Sequence, residues 1–92
     1  MRRRSEFMIL NDCMKPLKLN IEPEAIVVTL SKGEEVRVTD VFESAPVTIK
    51  LSGSERAEPT ISIWPGDGEV IVEKDGVDVL NVAQDGGKAR SA

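Results

Sequence analysis

The side chains that could carry out covalent or acid–base chemistry are few in this sequence. It contains no histidine and no tyrosine, and Cys13 is its only cysteine. Histidine-based acid–base catalysis, the serine–histidine–aspartate triad and zinc sites built from histidine or paired cysteines are therefore excluded. A reactive thiolate needs a neighbouring base or cation, and the nearest cation along the chain is Lys15. No serine lies in a Ser-x-x-Lys or Gly-x-Ser-x-Gly setting. We therefore expect a non-enzymatic protein without a cofactor.

Carboxylates are frequent in the last third of the chain, where they could suggest a calcium site. They are Asp67, Glu69, Glu73, Asp75 and Asp78. Calcium needs several oxygen ligands that converge at about 2.3–2.6 Å, and the spacing here lacks the alternating acidic pattern of a calcium-binding loop. Strand alternation would also separate these side chains between faces and turns. We interpret them as solvated carboxylates and expect no metal.

Trp64 is one of only three aromatic residues and lies next to Pro65-Gly66, a pair typical of a type II turn with glycine at positive φ. Period-two alternation places its side chain opposite to those of Ile61 and Ile63. Two interpretations follow: Trp64 covers a second core layer or the open end of a barrel, or it is an exposed anchor at a protein interface, where tryptophan is enriched.

The longest polar interval runs from Ser52 to Pro59 and is the other candidate contact region. Long loops on β scaffolds often carry function. The mixed charges of Glu55, Arg56 and Glu58 favour a protein partner over a phosphate. The alternative interpretation is a solvated connector.

The elements that must position these residues are predicted to be β-strands. Beyond about residue 16, apolar and polar side chains alternate with a period of two; Val47, Ile49 and Leu51, for example, share one face. Asp40 falls on an apolar face, where we expect a bulge or a strand end because a buried unpaired carboxylate is costly. Asp75-Gly76 predicts a tight type I′ hairpin turn. The predicted strands start near residues 17, 25, 35, 46, 60, 69 and 77.

These observations predict one small all-β domain. The chain has 92 residues, of which 40% are apolar and 30% charged, a globular composition. We expect an antiparallel β-sandwich or barrel of six to seven short strands over residues 10–83. A flexible basic arm over 1–9 and a flexible tail over 84–92 are expected to flank it. Met8 offers an alternative start of the natural chain.

Charge is distributed unevenly. Residues 1–20 carry a net charge of +3, residues 21–92 carry −7, and the whole chain carries −4. An acidic body repels nucleic acid and anionic lipid. Binding of nucleic acid through the basic arm is therefore an alternative that we do not favour; it would use Arg2, Arg3, Arg4, Lys15 and Lys18.

No apolar run approaches the roughly 20 residues that span a bilayer. A lone cysteine forms no internal disulfide, so we expect a cytoplasmic protein.

Edge strands supply the leading functional hypothesis. If strands pair mostly in chain order, the edges are Leu17–Ile21 and Val77–Val82, and the second has one charge and no proline. Val77 and Val79 are then expected to contact a partner. We predict a protein–protein interaction or assembly module whose partner is a second copy of the chain. A small-ligand or sugar-binding sandwich is a further alternative, for which Trp64 is the one large aromatic side chain available.

Overall fold

The chain folds as a β-sandwich. The computed structural model describes residues 1–53 and 58–80, which contain eight strands. The strands are β1 (Arg3–Leu10), β2 (Leu17–Ile21), β3 (Ile26–Leu30), β4 (Glu35–Phe42), β5 (Thr48–Ser52), β6 (Thr60–Trp64), β7 (Glu69–Lys74) and β8 (Val77–Asp78). They form two four-stranded sheets, ordered β1-β4-β7-β8 and β3-β2-β6-β5. The predicted all-β class is confirmed, as two packed sheets, with eight described strands rather than the expected six or seven.

Strand pairing is antiparallel throughout the described ladders except between β2 and β6, which are parallel. This pair joins strands that are about 40 residues apart in the chain, which requires a crossover connection. The pair places β2 in the interior of its sheet, between β3 and β6. The prediction that Leu17–Ile21 is an edge strand is therefore wrong.

The core lies between the two sheets and is made by alternate residues of β2, β4, β6 and β7, together with Leu30 of β3. Burying one such aliphatic side chain contributes about 1.5–3 kcal/mol, so this layer is the main source of stability. Its buried members are Leu19, Ile21, Leu30, Val36, Val38, Ile63, Val70 and Val72.

The segment predicted as a flexible arm is instead a strand over most of its length. Residues 3–10 pair with residues 35–42 of β4 without interruption. Phe7 and Ile9 alternate with the more exposed Glu6 and Met8, and both are packed against the core. Burial of these two side chains outweighs the charge of the preceding arginines. The tail predicted over 84–92 lies outside the described residues.

The hairpin between β7 and β8 has the predicted register, with Lys74 opposite Val77. Asp75 and Gly76 both have positive φ, 53° and 80°, as a type I′ turn requires. The edge strand itself is much shorter than predicted. Asp78 Oδ1 accepts a hydrogen bond from the Leu80 N–H at 3.0 Å, and the chain leaves the sheet after Asp78.

Asp40 departs from the sequence-based expectation. It is paired regularly with Ser5 on one side and Val70 on the other, without a bulge, and it is buried. Its Oδ2 accepts a hydrogen bond from the Val47 N–H at 2.8 Å, whereas its Oδ1 has no partner among the described atoms. The carboxylate therefore joins the end of β4 to the residue that precedes β5.

Candidate protein-binding edge

The inner face of the second sheet is covered unevenly by the first sheet. One row of side chains crosses this sheet from Val28 through Leu19 and Ile61 to Leu51. Leu19 is fully buried, whereas Leu51 at the end of the row is 73% exposed. In the next row Ile63 is fully buried and its partner Ile49 is 41% exposed. The first sheet therefore covers the middle of the second and leaves the inner face of β5 in contact with water.

β5 is also an edge strand. It pairs with β6 on one side, and no described strand pairs with its other side. Unpaired backbone groups on an edge are a template for another strand unless charge, proline or a bulge protects them. Lys50 is the only charged residue within β5. This strand thus combines an open backbone edge with two uncovered apolar side chains, Ile49 and Leu51.

The segment that leads into β5, residues 43–45, is hydrogen-bonded to Asp67 and forms a corner of the sandwich. Asp67, in the loop between β6 and β7, accepts hydrogen bonds from the Glu43 N–H at 3.0 Å, the Ser44 N–H at 2.8 Å and the Ala45 N–H at 3.0 Å. These three bonds favour the ionised carboxylate and lower the pKa of Asp67 below its ordinary value of 3.8. The Asp67 N–H also donates to the Ala45 carbonyl at 3.0 Å. Asp67 is therefore a structural acceptor rather than a merely solvated carboxylate.

Close backbone packing completes this corner. A Cβ atom added at Gly66 would lie 1.8 Å from the Ala45 carbonyl oxygen, so no larger residue fits without movement of the backbone. Gly66 does not have a positive φ, unlike Gly33 and Gly76. The expected type II turn is therefore wrong: glycine is needed at position 66 for close approach and not for a left-handed conformation.

Trp64 lies at the end of β6, opposite Thr48 of β5, and is 45% exposed. Its side chain belongs to the outer face of the sheet, opposite to the buried Ile63. The interpretation that Trp64 covers a second core layer is wrong, because that outer face carries polar residues such as Asn20 and Ser62 and has no described layer above it. The exposed-anchor interpretation stays a prediction.

The other predicted contact residues do not lie together with Trp64. Val77 is exposed on β8, in the other sheet, and Val79 is partly buried against the core. Glu58 is exposed and precedes β6, whereas Trp64 ends that strand. Glu55 and Arg56 lie outside the described residues. The structure thus separates the predicted set and adds Ile49 and Leu51, whose common face the alternation predicted but whose exposure it did not.

Cys13 and the carboxylates are the side chains of the described residues to examine for nucleophilic chemistry or metal binding. Cys13 is exposed and lines a shallow cleft of about 240 Å³ in which Lys15 is the only charged neighbour. No group of three or more His, Cys, Asp or Glu side chains within residues 1–53 and 58–80 is arranged to hold a metal ion. In the same part of the chain, no helix is long and apolar enough to cross a membrane.

The basic residues of the first 20 positions do not form one patch. Arg4 lies 3.7 Å from Glu6 and is thus next to an acidic side chain. Arg3 is at the opposite end of β1 from Leu10, about 23 Å away at 3.3 Å per residue. Lys15 follows the Leu10 end, where its carbonyl accepts a hydrogen bond from Asn11 Nδ2 at 3.0 Å. A nucleic-acid strand would therefore meet dispersed cations rather than a continuous basic surface.

Comparison of the chain with known protein families, with curated proteins and with solved structures found no match.

Proposed function

We propose that this chain is a non-enzymatic protein-binding module that self-associates through β5. The observation that carries the proposal is the exposure of Leu51 and Ile49 on the inner face of an edge strand. A strand added from a partner would pair the open backbone of β5 and cover both apolar side chains at once. Such strand addition is a recurring mode of protein recognition, in which the backbone gives affinity and side chains give specificity.

An antiparallel register centred on Ile49 places an apolar side chain opposite each of the two exposed residues of this edge. If the two-fold axis passes through Ile49, this residue faces itself, Leu51 faces the half-buried Val47, and Lys50 faces Thr48. The Ile49 pair then lies on the axis, and each of the other contacts occurs twice, as in an isologous interface. An axis through Lys50 would instead place like charges opposite each other, which is unfavourable. An axis through Leu51 would leave Ile49 facing Gly53, without a side chain to cover it.

The same register gives Trp64 a role. Because Thr48 lies between Trp64 and the added strand, the Lys50 side chain of the second copy would extend over the small threonine towards the indole ring. A lysine ammonium above a tryptophan face is stabilised by the negative π cloud. Trp64 would thus contribute to the interface from the outer face while Ile49 and Leu51 contribute from the inner face.

Net charge supports a distinction from the nucleic-acid alternative. Each copy carries −4, so two copies repel each other at long range, and added salt screens this repulsion. We expect self-association through β5 to be maintained or strengthened as salt rises. Binding of nucleic acid would weaken steeply under the same change, because it depends on counterion release.

Sedimentation of the full chain over a range of micromolar concentrations tests the proposal. We expect the wild type to form dimers and Leu51→Ser to dissociate at least about tenfold more readily, since it removes apolar area only from the β5 edge. Val27→Ser is the matched control, because Val27 is also an exposed aliphatic residue on an edge strand, β3. A wild type that stays monomeric at high micromolar concentration would overturn the proposal, as would an equal effect of both substitutions.

A further inference from the structure

A second edge of the sandwich has features that β5 lacks. β1 pairs with β4 over all eight of its residues without a bulge, and no described strand pairs with its other side. It contains no proline. Among the described residues, charged side chains are therefore the feature that guards this edge against another strand.

On the outer face of β1, side chains of opposite charge lie on either side of Ser5. Arg4 and Glu6 flank this residue and both belong to the outer face of the sheet, with side chains 64% and 47% exposed. In an antiparallel pair of β1 strands with the two-fold axis at Ser5, Arg4 of each copy faces Glu6 of the other. If the axis passed through Arg4 or Glu6 instead, that residue would face its own charge. The sequence thus favours one self-complementary register.

Glu6 is still able to accept further hydrogen bonds. Within the chain its carboxylate lies 3.7 Å from Arg4 Nε and 3.9 Å from Arg37 Nε. Both separations are longer than the roughly 2.7–2.9 Å of a direct charge-assisted hydrogen bond. The existing ion pairs are therefore loose, and a second arginine can approach the carboxylate from the open side of the strand.

We infer that β1 is a second self-association edge, in which two copies pair antiparallel about Ser5 through two reciprocal Arg4–Glu6 contacts. The inference goes beyond the proposed function because β1 and β5 belong to different sheets. A copy that is paired at β5 keeps its β1 edge open. Assembly would then continue past the dimer, with β5 contacts and β1 contacts alternating.

Reversing the charge of Arg4 or Glu6 tests this contact in a protein whose β5 interface is already weakened by Leu51→Ser. Leu51→Ser is combined with Arg4→Glu in one protein and with Glu6→Arg in another, and circular dichroism verifies that both remain folded. At low salt we expect the Leu51→Ser protein to retain weak self-association, and we expect each reversal to weaken it several-fold. An equimolar mixture of the two reversed proteins should associate again, because every mixed pair sets an acidic side chain opposite a basic one.

The mixture is followed by isotope-labelling the Arg4→Glu protein and adding the unlabelled Glu6→Arg protein, with shifts expected in the amide resonances of β1. Glu35→Arg is the control partner, since it makes the same charge change at an exposed position of β4 away from the edge, and no restoration is expected with it. Absence of restoration with Glu6→Arg overturns the inference. Absence of any association in the Leu51→Ser protein overturns it as well, and leaves the β5 proposal intact if the wild type still dimerises.

Discussion

The edge strands β1 and β5 differ in how well their inward-facing apolar side chains are covered. On β1 the inward side chains Phe7 and Ile9 are partly buried against the core, and the charged Arg4 and Glu6 lie on the outer face. On β5 the inward Ile49 and Leu51 remain exposed. Strand alternation sets which side chains face inward in both cases. Whether those side chains are buried depends on how far the opposite sheet extends, which is a property of the whole sandwich.

The largest expected effect concerns two leucines in the same row of the second sheet. Leu19→Ala should cost about 2–5 kcal/mol of unfolding free energy, because it leaves a cavity in a fully buried position. Leu51→Ala should cost less than about 1 kcal/mol, since most of its side chain is already in water. Urea unfolding of both variants, at a concentration that keeps the protein monomeric, measures the difference. Equal losses would mean that β5 is covered after all.

The next effect concerns the outer face of the β5 edge. Trp64→Ala should weaken self-association by about 2 kcal/mol, roughly 30-fold, as expected for an interface anchor. The free energy of unfolding should change by less than about 1 kcal/mol, because the side chain is half exposed. Val77→Ala is the control, since Val77 has a similar exposure but lies on β8 of the other sheet.

Tryptophan fluorescence provides an independent measurement of the same point. The emission of Trp64 should shift to the blue as protein concentration rises, because association removes water from the indole. An emission that stays the same at every concentration contradicts a role for Trp64 in the interface.

A smaller effect distinguishes the edges through pH. The pKa of Asp67 is lowered by hydrogen bonds from the Glu43, Ser44 and Ala45 N–H groups, so its stabilising effect is present above its ordinary value of 3.8 and is lost as the pH falls through the lower folded value. Because these bonds hold the connection that leads into β5, acid should loosen β5 before β1. Asp67→Asn should be less stable than the wild type near neutral pH and differ less from it in acid.

Glu34 also contributes to the loss of folding stability at acid pH. Its pKa is lowered from 4.5, first by a hydrogen bond from the Ser31 N–H at 2.6 Å and then by Lys74, whose Nζ lies 3.3 Å away. A depressed carboxyl pKa again means stability that is lost as the pH falls. Thermal unfolding at several pH values, for wild type, Asp67→Asn and Glu34→Gln, separates the two contributions. If Asp67→Asn follows the wild-type curve at every pH, the corner does not depend on this carboxylate.

Local pattern was sufficient to predict most strands and the Asp75-Gly76 turn. Their signals lie within a few residues of each other, as alternation or as turn chemistry. The expectation of a flexible arm over residues 1–9 rests on three arginines at a chain end, whereas β1 forms because Phe7 and Ile9 pack against the core. The parallel pairing of β2 with β6 could not be predicted, because it depends on contacts between distant parts of the chain.

The candidate site was predicted less well than the fold, for the same physical reason. Alternation predicts that Ile49 and Leu51 share a face. Their exposure depends on how far the opposite sheet extends, and no local feature of the sequence indicates that extent. The expectations for Asp40 and Gly66 rest on the free-energy cost of burying a carboxylate and on the turn preference of Pro-Gly. Their actual roles depend on Val47 and on the Ala45 carbonyl, which only the folded chain brings near.

Self-association through β5 is tested most directly by a dilution series of the wild-type chain, followed by amide NMR from micromolar to millimolar concentration. We predict that the resonances of residues 48–52 and the Trp64 indole N–H shift most with concentration, and that Leu51→Ser abolishes these shifts. Resonances of β3 should stay unchanged and serve as the internal reference. If β5 and Trp64 resonances do not change over the whole range, self-association through this edge is contradicted.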